Sequence, residues 1–136
     1  MFPAGTYGSI AIDDLDSANI LLNYKKYNAS VSSSHQAVEK ILKQYLQQND
    51  RLRESDVHTQ DLVALMRQAN IGALTRYKEL ITAMSGCYES ANYPGEYYNR
   101  YTEYEASSYL EAAARIVETV IDYCLFSDST IAPTLD

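Results

Sequence analysis

The chain has 136 residues, a net charge of −7, two cysteines, and 46% hydrophobic against 21% charged residues. That balance sets an expectation of one domain, residues 1–136, whose core needs neither disulfides nor metals. The acidic charge argues against a protein whose main task is gripping nucleic acid phosphates.

Residues 1–11, with Pro3, Gly5 and Gly8, read as an irregular, flexible arm. Asp13, Asp14 and Asp16 favour a helix N-terminus through capping and the helix dipole. Leu15, Ala18, Leu21 and Leu22 carry that first helix to about Lys26. Asn28 and Ser30 break or cap. The apolar spacing of Val31, Val38, Ile41, Leu42, Tyr45 and Leu46 then predicts a second helix to about Gln48. A polar link, Asn49 to Val57, leads to a third helix from Thr59, its cap, to about Asn70. Gly72 marks a turn. Leu74, Tyr77, Leu80, Ile81, Met84 and Tyr88 predict a fourth helix, stopped by Asn92, Pro94 and Gly95.

A tyrosine-rich connection follows, with Tyr93, Tyr97, Tyr98 and Tyr101. Thr102 and Glu105 form a capping-box pair ahead of the broadest apolar face, which includes Tyr109, Ala112, Ile116, Val117 and Val120. The tail from Ser127 to Asp136 is expected to fray. No segment alternates as a strand would. The fold class is therefore all-α: an up-and-down antiparallel bundle of four to five helices, with its core over about residues 12–124.

Few chemical motifs stand out. Cys87 and Cys124 lack metal-ligand spacing and read as buried, reduced thiols. Neither a Gly-rich phosphate loop nor a zinc pattern is present, so no cofactor and no metal are expected. No stretch approaches the ~20 apolar residues of a membrane span. The N-terminus lacks a basic region followed by an apolar core, which leaves the cytoplasm as the expected compartment.

The two histidines are the exception. His35 lies four residues before Glu39, so both share a helix face with Lys40 beside them. These residues either line a polar pocket, with Lys40 for phosphate, or comprise a part-buried histidine and two surface charges. His58 and Asp61 stand at a helix start. There His58 acts as an acid or base, or else merely precedes the cap while Asp61 complements the dipole. Two neighbouring helices would bring His35, Glu39, Lys40, His58 and Asp61 together as a ligand-binding set.

His35-Gln-Ala-Val-Glu-Lys40 in a second helix, then His58-Thr-Gln-Asp-Leu62 opening a third, resembles the HEPN domain, the "higher eukaryotes and prokaryotes nucleotide-binding" domain. Tyr88-Glu-Ser-Ala-Asn92-Tyr-Pro94 is similar to that family's Tyr-x-x-x-Arg-Tyr-Pro stretch, with Asn92 in place of arginine. The resemblance implies a homodimer, contact through the tyrosine-rich connection, and work with a separate minimal nucleotidyltransferase as protein partner. The setting it implies is toxin–antitoxin-like or a stress response.

The family's ribonucleases share an Arg-x(4–6)-His motif just before the last helices. Here no histidine follows His58. Arg51 and Arg53 fit that spacing to His58, but they precede the third helix. The expected function is a non-catalytic nucleotide- or RNA-associated module. The alternatives are a metal-independent endoribonuclease using Arg51 or Arg53 with His58 as catalytic residues, and a structural interaction module whose polar motif only sets helix packing.

Overall fold

The computed structural model describes residues 1–126, whose regular elements are all helices, with no strand among the described residues; the expected frayed tail, Ser127–Asp136, lies outside them. Helix α1 is Tyr7–Asn23 and α2 is Tyr27–Gln48. A short 3-10 turn at Glu54–Asp56 precedes α3, Leu62–Ala69. A second 3-10 turn, Gly72–Tyr77, leads into α4, Lys78–Ser85, and α5, Cys87–Asn92. Helix α6 is Glu103–Phe126. Since α4 and α5 form one rod broken at Gly86, the bundle has five rods.

The arm expected over residues 1–11 is corrected: α1 starts six residues before Asp13. Thr6, held by Pro3, caps it by accepting from the Ser9 N–H. Phe2 folds back across Gly8, and a Cβ at Gly8 would lie 2.5 Å from its ring. The Gly8 N–H donates to Gln44 Oε1 of α2. Asn28 and Ser30 do not interrupt α2. The Ser30 hydroxyl donates to the Ala18 carbonyl, and Asn28 reaches the carbonyls of Ala91 and Asn99. The break falls earlier, at Lys25, in a left-handed conformation (φ +62°).

Asp61, not Thr59, caps the third helix, accepting from the Ala64 N–H at 3.1 Å. The expected fourth helix is interrupted at Gly86 and opens as a 3-10 turn. The Thr102–Glu105 capping box forms as expected, with reciprocal bonds of 2.9 and 3.1 Å.

Contacts along the rods set the directions. Ala18 meets Ser30 and Gly8 meets Gln44, so α1 is antiparallel to α2. Tyr27 meets Glu103 and Gln48 meets the Cys124 carbonyl, so α6 runs parallel to α2. After α2 the chain does not turn directly into the next helix. It returns along α2 as an extended link that passes Lys43 and then His35, so that α3 also runs parallel to α2. Helix α2 is thus central, and Ile41, Leu42 and Leu46 share one core with Leu65, Ile81 and Ile116.

The Phe2–Gly8 contact gives a test. Gly8→Ala should lower the melting temperature by displacing Phe2, although alanine is the better helix former. In a Phe2→Ala background the same change should be neutral or stabilising, which paired thermal melts of the four proteins will show.

Candidate functional site

The motif on α2 faces inward. His35 is 0% exposed, Glu39 4% and Lys43 2%. They stand at i, i+4 and i+8, one helix face, and the link lies over them. Lys43 Nζ donates to Glu39 Oε2 and to the Val57 carbonyl, each at 2.8 Å. His35 Nε2 lies 3.0 Å from the Gln60 carbonyl. A carbonyl only accepts, so Nε2 carries the proton. The neutral ring's Nδ1 is then an acceptor, and it is buried without a partner, as is Glu39 Oε1. Burial pulls the imidazole pKa below 6.5; Glu39 and the backbone at Gln60 and Ser85 oppose this, and Lys40 adds to it.

The sequence-predicted residues divide into two groups. His35 and Glu39 belong to the internal network. Lys40 faces α1, donating to Gln36 Oε1 at 2.6 Å and lying 3.6 Å from Glu39. Asp61 meets Ser85, whose Oγ donates to Asp61 Oδ1 at 3.3 Å and accepts from the Leu62 N–H, and the Ser85 backbone lies beside His35. His58 stands apart, exposed on the outer side of the link with no hydrogen bond or ion pair among the described residues.

Arg51 donates to the Ala69 carbonyl at 3.1 Å and to the Gln68 carbonyl, closing the C-terminus of α3. Arg53 forms a two-pronged pair with the Asp56 carboxylate, both bonds 3.0 Å, and holds that carboxyl below the usual range. Both guanidinium groups are therefore occupied in organising the link and α3.

Sequence reasoning did not place four members of this region in the site, although Tyr88 opens the stretch similar to the family's tyrosine motif. Lys43 was legible as the i+4 partner of Glu39. Asp14 of α1 approaches Lys40, and burial raises its carboxyl pKa, with Lys40 opposing. Ser85 and Tyr88 arrive from α4 and α5, which no local pattern forecasts. The Tyr88 ring lies 5.8 Å from His35 and 6.1 Å from the half-exposed Tyr93, giving an aromatic path from the buried histidine to the surface. Asn92, in place of the family's arginine, ties Ser32 Oγ to the Tyr88 carbonyl.

Cys87 and Cys124 are buried and not disulfide-bonded, and burial pushes the Cys124 thiol up to about 12. Among the described residues no cluster of ligand side chains could hold a metal ion, and no helix is long and apolar enough to cross a membrane. A surface cleft of about 440 Å³, lined by Leu22, Lys25, Glu103 and Tyr104 among others, includes none of the motif residues.

The all-helical bundle is consistent with a HEPN-type module. The HEPN domain family model matches residues 7–123, and the chain belongs to that family. Membership supports a nucleotide- or RNA-associated module. No curated protein and no solved structure gives a significant match.

Two outcomes test the network. Glu39→Ala strands a buried ammonium and should cost about 3–5 kcal/mol in denaturant unfolding. Adding Lys43→Met should recover part of that loss, not all, because the Val57 carbonyl still lacks its donor.

The second outcome concerns pH. His35 has a lower pKa folded than unfolded, so the unfolded chain binds the proton first as pH falls. Stability is then complete above about 6.5 and declines below it until the folded value is passed. Melting temperatures from pH 7.5 to 5 should show that decline in the wild type, and His35→Gln should flatten it even at lower overall stability.

Proposed function

We propose that this chain is a non-catalytic HEPN-type module that binds a nucleotide or an RNA end beside the Val57–Asp61 link. It would act as a homodimer in the cytoplasm with a separate minimal nucleotidyltransferase, in a toxin–antitoxin-like or stress-response setting. The supporting observation is the division of labour in the motif. His35, Glu39 and Lys43 hold the link rigidly, and the link carries His58 and Asp61 at the surface. Lys40 lies behind on α2, and Tyr93, at the outer end of the aromatic path from His35, has an exposed ring on which a base can stack. In this reading His35 and Glu39 position the site, His58 and Asp61 face the ligand or a partner loop, and Lys40 contributes positive charge from the α1 side of α2.

The ribonuclease alternative is less well supported. Acid–base cleavage needs a histidine beside a group that stabilises phosphate charge. Arg51 is closing α3 and Arg53 is paired with Asp56. Homodimerisation is favoured by the exposed tyrosines of the connection, Tyr93, Tyr97 and Tyr98.

Calorimetric titration with nucleoside mono- and triphosphates and a short single-stranded RNA should give saturable heat. His58→Ala and Tyr93→Ala should each weaken it without moving the melting temperature. Sedimentation of the same samples should show twice 15.3 kDa. Absence of heat and of thermal shift at millimolar ligand removes the nucleotide reading; chelator-resistant RNA cleavage lost in His58→Ala would replace it with the enzyme.

A further inference from the structure

On the far side of the bundle, α4 packs on α3 and on its own 3-10 turn rather than along α6. An open trough remains between the Gly72–Ser85 segment and α6. Three connected depressions of about 290, 320 and 140 Å³ make it up: the first two share Leu80 and Ser108, and the last two share Tyr77 and Arg115. The α6 wall carries Tyr104, Ser108, Ala112, Arg115, Thr119 and Asp122, which recur at helical spacing. From Tyr104 to Asp122 is eighteen residues, or about 27 Å at 1.5 Å per residue.

The floor is apolar in the two depressions that share Leu80 and turns polar in the third, beside Glu118, Thr119 and Asp122, and the rim is acidic. Leu80 is 42% exposed and Tyr104 82%, against the half-buried Tyr77 and Tyr109. Large apolar side chains in a continuous strip mark a contact surface more readily than scattered ones do. Glu105, Glu111, Glu118 and Asp122 line it. Arg115 is the one lining cation, and it is paired with Glu111 at 2.9 Å. Arg76 lies at the edge, 5.7 Å over the Tyr77 ring.

We propose that the trough between the Gly72–Ser85 segment and α6 docks a basic amphipathic helix of a partner protein. Its length suits five turns of helix, and α4, whose segment meets α6 mainly through the Gly72–Tyr77 turn, leaves the place of a third helix beside α6. The acidic rim matches lysines and arginines flanking an apolar stripe. The same rim repels nucleic acid phosphates. It also disfavours a second copy, because a two-fold contact would set this face against itself. The inference is independent of the nucleotide reading and concerns a different face.

The probe is a fluorescein-labelled eighteen-residue peptide with leucines on one helical face, flanked by lysines and arginines. Fluorescence anisotropy against the full chain should show saturable binding that weakens with salt. Leu80→Glu and Ser108→Trp, both at exposed positions, should each weaken it about tenfold while circular dichroism stays unchanged. Glu118→Lys with Asp122→Lys should shift preference to a glutamate-flanked version of the peptide. The proposal is overturned if the basic peptide does not bind or if a scrambled peptide of equal charge binds as well. Unchanged affinity in both blocking variants overturns it too. So does sedimentation showing a wild-type dimer that Leu80→Glu dissociates, since a second copy would then cover the trough.

Discussion

The Glu39–Lys43 pair inside α2 governs where the chain goes next, because a buried ammonium needs a counter-charge and acceptors around it. Lys43 donates to Glu39 and to the Val57 carbonyl. A link lying over a helix has backbone carbonyls that lose water and must be bonded. Lys43 and His35 supply those bonds at Val57 and Gln60, and the Arg53–Asp56 pair closes the turn between α2 and those anchors. The link therefore retraces α2, and α3 starts level with His35. Helix α3 runs away from that point and α4 returns to it, with Ser85 meeting the first residue of α3. A buried ion pair is weak evidence for stability, since apolar replacements often do as well. Its service here is directional: it selects one path for the link.

That use of polar groups shapes the functional face. The residues with the most distinctive chemistry, His35 and Glu39, lie inside, where they hold backbone. What reaches solvent is the outer side of the link, with His58 and Asp61, and the tyrosines that follow α5. The connection after α5 is also fastened by a single side chain: Asn28 bonds the carbonyls of Ala91 and Asn99 and accepts from the Tyr101 N–H. Ser90 and Tyr101 share a 2.6 Å hydroxyl contact beneath it. Tyr93, Tyr97 and Tyr98 are thus exposed on a segment anchored at both ends.

Charge is distributed to the same effect. The protein is acidic overall, and carboxylates along α6 gather beside the apolar trough, whereas the outer side of the link carries His58. The two proposals thus fall on different faces, a phosphate-bearing ligand beside the link and a basic protein segment along α6. Nothing in either assignment requires the bundle to change shape.

The helical class, the position of α2 and the capping box of α6 were legible in the residues. These rest on local rules: apolar spacing at 3.6 residues per turn and reciprocal bonds between groups three residues apart. The family was legible for the same reason, since its motifs lie within short segments. Helix starts were less so. Thr6 outcompeted Asp13 as a cap because Phe2, packed over Gly8, stabilises six further residues of helix, and that contact depends on tertiary packing. Whether His35, Glu39 and Lys40 formed an open pocket or an inner bracket was undetermined in one dimension. An i, i+4 pair fixes a face and leaves open what covers it. Only the folded chain decided that the link lies on that face, that Ser85 and Tyr88 arrive beside His35, and that α4 leaves a gap along α6. Each of these joins segments far apart in sequence, where burial and the pairing of backbone groups set the outcome and local preference is silent.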